Sequence, residues 1–579
     1  MKRILSQSEG LAHHPGDFHW LEKNIPCQAA CPASTDIPGY LAAISRGDYA
    51  EAYRINLRDN VFPAVLGRVC SRPCEPPCRH GWEGLGAPVA ICSSKRAAAD
   101  FTNQTDPVVL PPVFPTTGRR VAIVGAGVAG LAAARDLALW GHAVTVYEKH
   151  ARSGGMMIQG IPHFRLPRAV IEKEIRQVEA QGVRIVTGTE VGPSLPLSRL
   201  LADHDAVIVA AGTLKPTRPP IPGGALQGVE HGLQFLFDVN EGARATIGRR
   251  VVIIGGGFTA IDCARTARRL GARHAGVYYR RSAREMYIMA EELDEMAEEG
   301  IPLVTHVNPI EIIGQDGRAT AVRFVRTRVE GGSDKNAQKI VPIEGSEFEV
   351  PADNVILATG QSADRSWMDV ALQDAASTPR LFAAGDFVNG PSTLIEAIGH
   401  ARRCARSVDE FVMGESRLHD AVVIETGRDQ ERTRKMDHIP LQHPAVAWVS
   451  RRSLHREVEK GFSPAQAAKE SKRCYLCHYK YEINMDLCIY CDQCIQVKPR
   501  EKCIVKVMRK RGPTPTDTGE PGPYDHRLNN DHQFEYVINQ EECIRCDACL
   551  RVCPTHCIDV QKVSLKTLPS KQVGTGSTV

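Results

Sequence analysis

The sequence predicts a multidomain α/β chain. A helical, cysteine-bearing domain opens it, two Rossmann-like domains follow with the second inserted in the first, and a small α+β domain closes it. Three observations predict this. Two strand–glycine turn–helix–strand units occupy residues 119–149 and 249–281. Of nineteen cysteines, six lie between Cys27 and Cys92 and eleven between Cys474 and Cys557, leaving Cys263 and Cys404 alone in the middle. The 579 residues are 43% hydrophobic, enough apolar material for several cores.

Composition excludes several classes. The net charge is +4, with no basic stripe to suit nucleic acid or an anionic membrane surface. The start, MKRILSQSEGLAHHPGDF, lacks an apolar segment of signal-peptide length, and no apolar run is long enough to span a bilayer. A cytoplasmic protein is expected. Disulfides are rare in a reducing cytosol, so clustered cysteines there bind metal or do redox chemistry. C-x2-C pairs also make zinc sites. Three-cysteine C-x2-C-x2-C runs are typical of ferredoxins and favour iron–sulfur clusters.

The N-terminal domain, residues 1–105, interleaves cysteines with helical stretches such as PGYLAAISRGDYAEAYRIN. DPVVLPPVFPTTG (106–118) reads as a linker. In the first glycine turn, Gly125, Gly127 and Gly130 form G-x-G-x-x-G between the strand VAIV and a helix. The first glycine permits the tight turn, the second lets backbone approach a pyrophosphate, and the third lets helix and strand pack. The helix N-terminus favours the phosphate charge. Glu148 ends the next strand, where an acid binds ribose hydroxyls. This domain is expected over 119–225 and 356–415.

The inserted domain, 226–355, carries Gly255, Gly257 and Ala260 in G-x-G-x-x-A. Its second strand ends in Arg280 and Arg281 instead of an acid. Arginine there suits a 2′-phosphate, favouring NADP(H) over NAD(H). Cys263 reads as packing, and the domain has no C-x2-C, which sets aside a thioredoxin-reductase-like disulfide mechanism. Residues 416–480 read as a polar helical linker bearing C-x2-C. A ferredoxin-like domain is expected over 481–562, interrupted by a surface loop at 511–531, with a disordered tail at 563–579.

From Cys27 to about residue 410 the chain resembles the small subunit of bacterial glutamate synthase. It also resembles the matching parts of dihydropyrimidine dehydrogenase and of NADH-dependent ferredoxin:NADP oxidoreductases. The segments carrying the resemblance are GRVCSRPCEPPC, VAIVGAGVAGLAAA, GGMMIQGIPHFRLP, IGGGFTAIDCARTARRLGA, YYRRSAREM, NVILATGQ and LFAAGDF. It implies FAD at the first glycine turn and NAD(P)H at the second. It places Gly385 and Asp386 at the flavin's ribityl and phosphate region, with Arg165 and Thr393 nearby. Ala358, Thr359 and Gly360 would line the gap between the domains, and Ala129, Gly155 and Thr259 join the cofactor-binding residues. His163 stands where the family commonly has an acid and receives no role.

The resemblance also assigns cluster ligands. Cys31, Cys70, Cys74 and Cys92 would hold one 4Fe–4S cluster. Cys27 and Cys78 would serve a second, but the opening C-x2-C pair of the family's pattern is missing here. The family leads into that pair with an Ala-rich helix, and this chain has AAKESKRCYLC near its other end. Cys474 and Cys477 are therefore expected to join Cys27 and Cys78, with a lost cluster, zinc or unligated thiols as the alternatives. The last segment resembles a two-cluster ferredoxin, in which the fourth cysteine of each run ligates the other cluster. Cys543, Cys546, Cys549 and Cys553 form a complete run; Cys488, Cys491 and Cys494 are followed by Lys498-Pro499 where Cys-Pro is expected. Cys553 can complete the Cys488, Cys491 and Cys494 set. Cys503 or Cys557 would complete the other, or a 3Fe–4S centre would form.

The expected function is electron transfer between NAD(P)H and a ferredoxin or partner oxidoreductase subunit, through FAD and three to four 4Fe–4S clusters. The cofactors carry that chemistry, so no catalytic side chain is assigned. The alternatives are a true glutamate synthase small subunit, a bifurcating subunit, and a wiring module with a vestigial NAD(P) site.

Overall fold

The computed structural model describes residues 18–82, 84–102, 106–331, 338–369, 372, 378–427, 430, 432–508 and 534–570. The expected loop at 511–531 lies outside them, as do residues 571–579 of the expected tail.

The first Rossmann-like domain is a five-stranded parallel sheet in the order Leu381–Ala383, Ala206–Val209, Arg120–Val124, Ala143–Tyr147, Arg184–Val186. Its central strands are continuous apolar runs with nearly every residue buried, because helices cover both faces. Helix Val128–Leu139 packs against the long helix Leu394–Met413. The inserted domain repeats the plan with Val229–His231, Asn354–Leu357, Arg250–Ile254, His274–Tyr279 and Leu303–Thr305, all parallel. It adds an antiparallel layer of Val307–Gln315, Arg318–Glu330, Lys339–Pro342 and Phe348–Pro351. Since Asn354–Leu357 pairs within this second sheet, the insertion runs through Leu357 and not to 355. Lys215–Pro216 and Gln361–Ser362 pair antiparallel where the chain crosses between the domains.

The N-terminal domain is helical. Asp36 caps Ile37–Ser45 by accepting from the Gly39 N–H, and Asp48 caps Tyr49–Asn60 by accepting from the Glu51 N–H. Helix Pro63–Val69 begins at proline, where a missing N–H costs nothing. Its free Ala64 and Val65 N–H groups donate to the Glu174 carboxylate at 2.7 and 2.9 Å. Glu174 belongs to helix Arg168–Glu179 of the first Rossmann-like domain. A carboxyl group accepting at a helix N-terminus thus ties the two domains together, and burial pushes that carboxyl up to about 8.

The region expected as a helical linker differs. Among its described residues only Pro464–Lys472 is α-helical; Leu418–Thr426 is a strand, and Arg434–His438 and Val449–Arg451 are 3₁₀ turns. The segment's charges reach outward to other domains. Arg452 pairs with Glu298 and Glu299, Glu457 with Arg68 and Arg96, and Glu459 with Arg96. The segment straps the N-terminal domain to the inserted one.

The ferredoxin-like domain also exceeds its expected bounds. Tyr479–Ile483 pairs with Ile558–Pro569, and Ile504–Met508 pairs with Phe534–Ile538. Residues 563–569, expected as tail, continue Ile558–Pro569 and pair with Leu418–Thr426, setting Val563 against Ile424 and Leu565 against Val422. The apolar residues of VSLKTL supply the reason: Val563 is fully buried, while Lys562 and Ser564 beside it are only half-buried.

Candidate cofactor sites

Both glycine turns open into one cavity of about 1590 Å³. That exceeds the roughly 300–1,000 Å³ of an ordinary small-molecule pocket, and suits two dinucleotides meeting end to end. Gly125, at φ +104°, has no room for a side chain, since a Cβ would stand 2.5 Å from the Ala210 carbonyl oxygen. At Gly130 a Cβ would stand 2.0 Å from the Gly125 carbonyl oxygen. Gly127 and Gly257 instead face open space on the cavity wall. Two of the first turn's glycines are therefore spent on packing and one on access for the ligand. Gly255 abuts the carbonyl of Ala358, and Ala260 replaces the third glycine in a fully buried place.

The other expected nucleotide residues fall around the same space. Glu148, Ala129, Gly155, Thr259, Arg280, Arg281, Asp386, Thr393 and the turn Ala358, Thr359 and Gly360 all line it. Glu148 accepts from the Ala126 and His150 N–H groups at 2.8 and 2.9 Å, which aims the carboxylate and leaves lone pairs for a ribose. Gly385 precedes the short helix Asp386–Asn389, and its N–H donates to His400 Nδ1 at 3.0 Å. Burial raises the Asp386 carboxyl above its usual range, and Ser392 donates to it at 2.5 Å. Thr393 caps Leu394–Met413 reciprocally with Glu396.

Arg165 lines the cavity, but its charge is committed. It donates to both oxygens of Asp262 at 2.8 and 3.0 Å and also pairs with Glu292, on helices Phe258–Arg269 and Ala290–Glu298 of the inserted domain. Burial pushes Asp262 up to about 6 against the pull of Arg165. Neither acid is singled out by the sequence patterns, although Asp262 lies within FTAID of the second turn. Two further lining residues come from the N-terminal domain: Val69 and Ser71, on either side of Cys70.

The thiols gather in four groups. Cys70 and Cys74 each lie within hydrogen-bonding reach of Cys92, and Lys95 faces all three together with Cys31. Cys27 faces Cys477, Cys78 and Cys474. Burial, first, and those neighbouring thiols raise the Cys27 thiol well above its ordinary range. The halves of this group come from opposite ends of the chain. They meet because helix Pro464–Lys472 docks on the N-terminal domain. Its fully buried Glu470 accepts from the Ala90 N–H at 2.8 Å, and Arg473 donates to the Ala87 and Pro88 carbonyls at 2.6 and 3.1 Å.

In the ferredoxin-like domain one small void is lined by Cys503, Cys543, Cys546 and Cys549, another by Cys488, Cys491, Cys494, Cys553 and Cys557. Cys557 Sγ lies 3.4 Å from Cys553 Sγ, so Cys503, not Cys557, faces the Cys543 group. Among the described residues no three His, Cys, Asp or Glu side chains converge as ligands of a single ion. The thiols of the ferredoxin-like domain stand around two small voids instead. Cys263 is buried with its thiol toward the Gly232 carbonyl, apart from all four groups.

Paired dinucleotide turns joined to cluster-type thiol groups define an iron–sulfur flavoprotein oxidoreductase working with NAD(P)H. Residues 119–401 match the pyridine nucleotide-disulphide oxidoreductase family, 22–107 the dihydropyrimidine dehydrogenase domain II 4Fe–4S family, and 536–559 the 4Fe–4S binding domain. The chain is 35% identical over 500 residues to the NADP(+)-dependent formate dehydrogenase subunit beta of Moorella thermoacetica, covering 78% of this chain and 70% of that one. It is 33% identical over 524 residues to the NADPH-Fe(3+) oxidoreductase subunit beta of Geobacter sulfurreducens, covering 80% and 77%. It is 32% identical over 421 residues to the NADPH glutamate synthase small chain of Halomonas elongata, covering 67% and 88%. The chain belongs to this family of flavin and iron–sulfur oxidoreductase subunits. Among the described residues no helix is long and apolar enough to cross a membrane.

Proposed function

We propose that this chain is a cytoplasmic subunit that passes electrons between NADPH and a partner oxidoreductase subunit or ferredoxin, through FAD and four 4Fe–4S clusters in series. One observation carries it: the cavity shared by the two glycine turns is walled by Val69 and Ser71, so the first thiol group adjoins the nucleotide site. A flavin held there would supply hydride acceptance and single-electron release, and clusters held by the thiol groups would supply onward transfer.

The chain's residues supply the rest. The first turn, with Glu148, Gly155, Gly385 and Asp386, holds FAD; the second, with Thr259, Arg280 and Arg281, holds NADPH. Arg165, through Asp262 and Glu292, holds the two nucleotide domains in register across the gap. Cys31, Cys70, Cys74 and Cys92 hold the cluster beside the flavin. The buried Tyr40 lies between Cys74 and Cys92 of that group and Cys27 of the next. Cys27, Cys78, Cys474 and Cys477 hold the second cluster. Arg545 donates to the carbonyls of Cys477 and Cys543, and Arg432 to those of Cys474 and Ile544, which ties the second group to the third. Cys503, Cys543, Cys546 and Cys549 hold the third, and Cys488, Cys491, Cys494 and Cys553 the fourth. Cys491 is exposed, and so are the nearby Leu487 and Ile489, which makes the fourth cluster the exit. No side-chain acid or base is assigned to the chemistry.

The reach of the alignments supports this over a glutamate synthase small chain. The two NADP(H)-linked beta subunits align over 500 and 524 residues, the glutamate synthase chain over 421. The test is anaerobic titration of the purified full-length protein with NADPH. Flavin bleaching followed by paramagnetic reduced-cluster signals is expected; bleaching with every cluster left oxidised would overturn the series.

The arginines give a separate expectation. In Arg280→Ala/Arg281→Ala the KM for NADPH should rise about ten- to a hundredfold, since a charged hydrogen bond is worth roughly 1.5–3 kcal/mol. The KM for NADH should stay nearly constant, as rapid-mixing measurements of flavin bleaching will show.

A further inference from the structure

Lys95 is 3% exposed, yet no carboxylate pairs with it and no hydrogen bond reaches it. It sits on helix Ile91–Phe101, three residues after Cys92 and so on the same helical face. The thiols of Cys92, Cys70, Cys74 and Cys31 face it, and the buried Glu75 carboxyl also feels its charge without forming an ion pair with it. The other charges around that group are matched among themselves. Arg72, beside Cys92, lies 3.9 Å from Glu459 and 3.8 Å from Glu291, and Glu75 accepts from the Cys92 N–H at 3.0 Å.

An ammonium buried without a partner costs several kcal/mol, and a lysine so placed ordinarily gives up its proton. Here the cluster that Cys31, Cys70, Cys74 and Cys92 would hold supplies the negative charge that an ammonium at Lys95 needs. Four thiolates around a 4Fe–4S core make a dianion, which becomes a trianion on taking one electron. A fixed cation against that group favours the trianion. The close approach at Gly67, where a Cβ would meet Arg96 Cα at 2.6 Å, locks Ile91–Phe101 against Pro63–Val69 and keeps the amine in place.

We propose that Lys95 sets the potential of the cluster held by Cys31, Cys70, Cys74 and Cys92, raising it so that this cluster takes the first electron leaving the nucleotide site. The proposal rests on the four-cluster reading above. The step moves one electron from the NADPH-reduced flavin to the cluster, and Lys95 keeps its proton throughout. Lys95 is a positioning residue: it acts on the cluster through its charge, without a hydrogen bond to the ligands.

The test uses full-length protein purified anaerobically, with iron per chain and an EPR-monitored redox titration. Cys70→Ala identifies the signal of this cluster. Lys95→Met, which keeps the volume and removes the charge, is expected to retain its iron. At the wild-type midpoint its ratio of reduced to oxidised cluster should fall at least tenfold, which is 59 mV for a one-electron couple. Lys95→Arg should restore the wild-type midpoint, and the other three signals should not move. An unchanged midpoint in an iron-replete Lys95→Met protein overturns the proposal. If Lys95→Met loses iron, Lys95→Gln takes its place; loss of iron in both, with Lys95→Arg intact, overturns it as well, because Lys95 then serves assembly and not potential. If Cys70→Ala removes neither iron nor signal, the underlying cluster assignment fails instead.

Discussion

Replacing Cys474 and Cys477 together with alanine is expected to lower the iron content from about sixteen to about twelve atoms per chain, one 4Fe–4S cluster of four. The two remaining thiols of the group, Cys27 and Cys78, cannot hold a cluster alone. Nothing else in the described chain should change much, because the helix that delivers the pair is anchored independently by Glu470 and Arg473. NADPH should bleach the flavin at the wild-type rate, since the nucleotide cavity lies on the far side of the first thiol group. Electrons should then stop: the signal that Cys70→Ala removes should still appear, and reduction of a protein acceptor should fall by orders of magnitude. Cys404→Ala, at a thiol outside all four groups, is the control and should keep all its iron. Sixteen irons retained in the double variant would mean that the two ends of the chain do not share a cluster.

Local chemistry was legible in the sequence, and tertiary pairing was not. Gly125, Gly127 and Gly130 could be read because their reasons are local: a turn, an approach and a helix contact within a few residues. The displaced C-x2-C at Cys474 could be suspected because its lead-in, AAKESKR, keeps a recognisable form. That it meets Cys27 depends on Glu470 and Arg473 binding backbone around residues 87–90, which no spacing rule reveals. The choice of Cys503 over Cys557 is of the same kind. Both are plausible by spacing, and only the pairing of Ile504–Met508 with Phe534–Ile538 turns Cys503 toward Cys543. The segment after residue 440 misled for a physical reason. A polar stretch reads as a solvated helical linker, and here Arg452 and Glu457 pair with Glu298, Glu299, Arg68 and Arg96 of other domains. Lys95 carried no signal at all, since a lysine among alanines reads as a solvated helix position until its burial is known.

Gly130→Val is expected to yield protein without FAD. The added carbon would lie 2.0 Å from the Gly125 carbonyl oxygen and 3.3 Å from Ile123 Cγ2. Neither neighbour can yield, because Gly125 is itself wedged at φ +104° against Ala210 and Ile123 is fully buried in the central strand. Helix Val128–Leu139 must therefore lift from the sheet, at roughly the 1–3 kcal/mol typical of overpacking. That is tolerable for a domain of this size, but it displaces the helix N-terminus that the pyrophosphate needs. Flavin per chain, read from visible absorbance, should fall at least tenfold, and NADPH should no longer reduce anything. Iron should fall far less than flavin and dithionite should still reduce the clusters, because no cluster ligand lies on this turn or on helix Val128–Leu139. The second turn offers the comparison. There Ala260 already carries the extra carbon in a fully buried place, so Ala260→Gly should leave flavin content and NADPH reduction close to wild type. Stoichiometric FAD in Gly130→Val would show that the first turn's third glycine is not what holds the helix to the strand, and would move the pyrophosphate site away from Gly125 and Gly127.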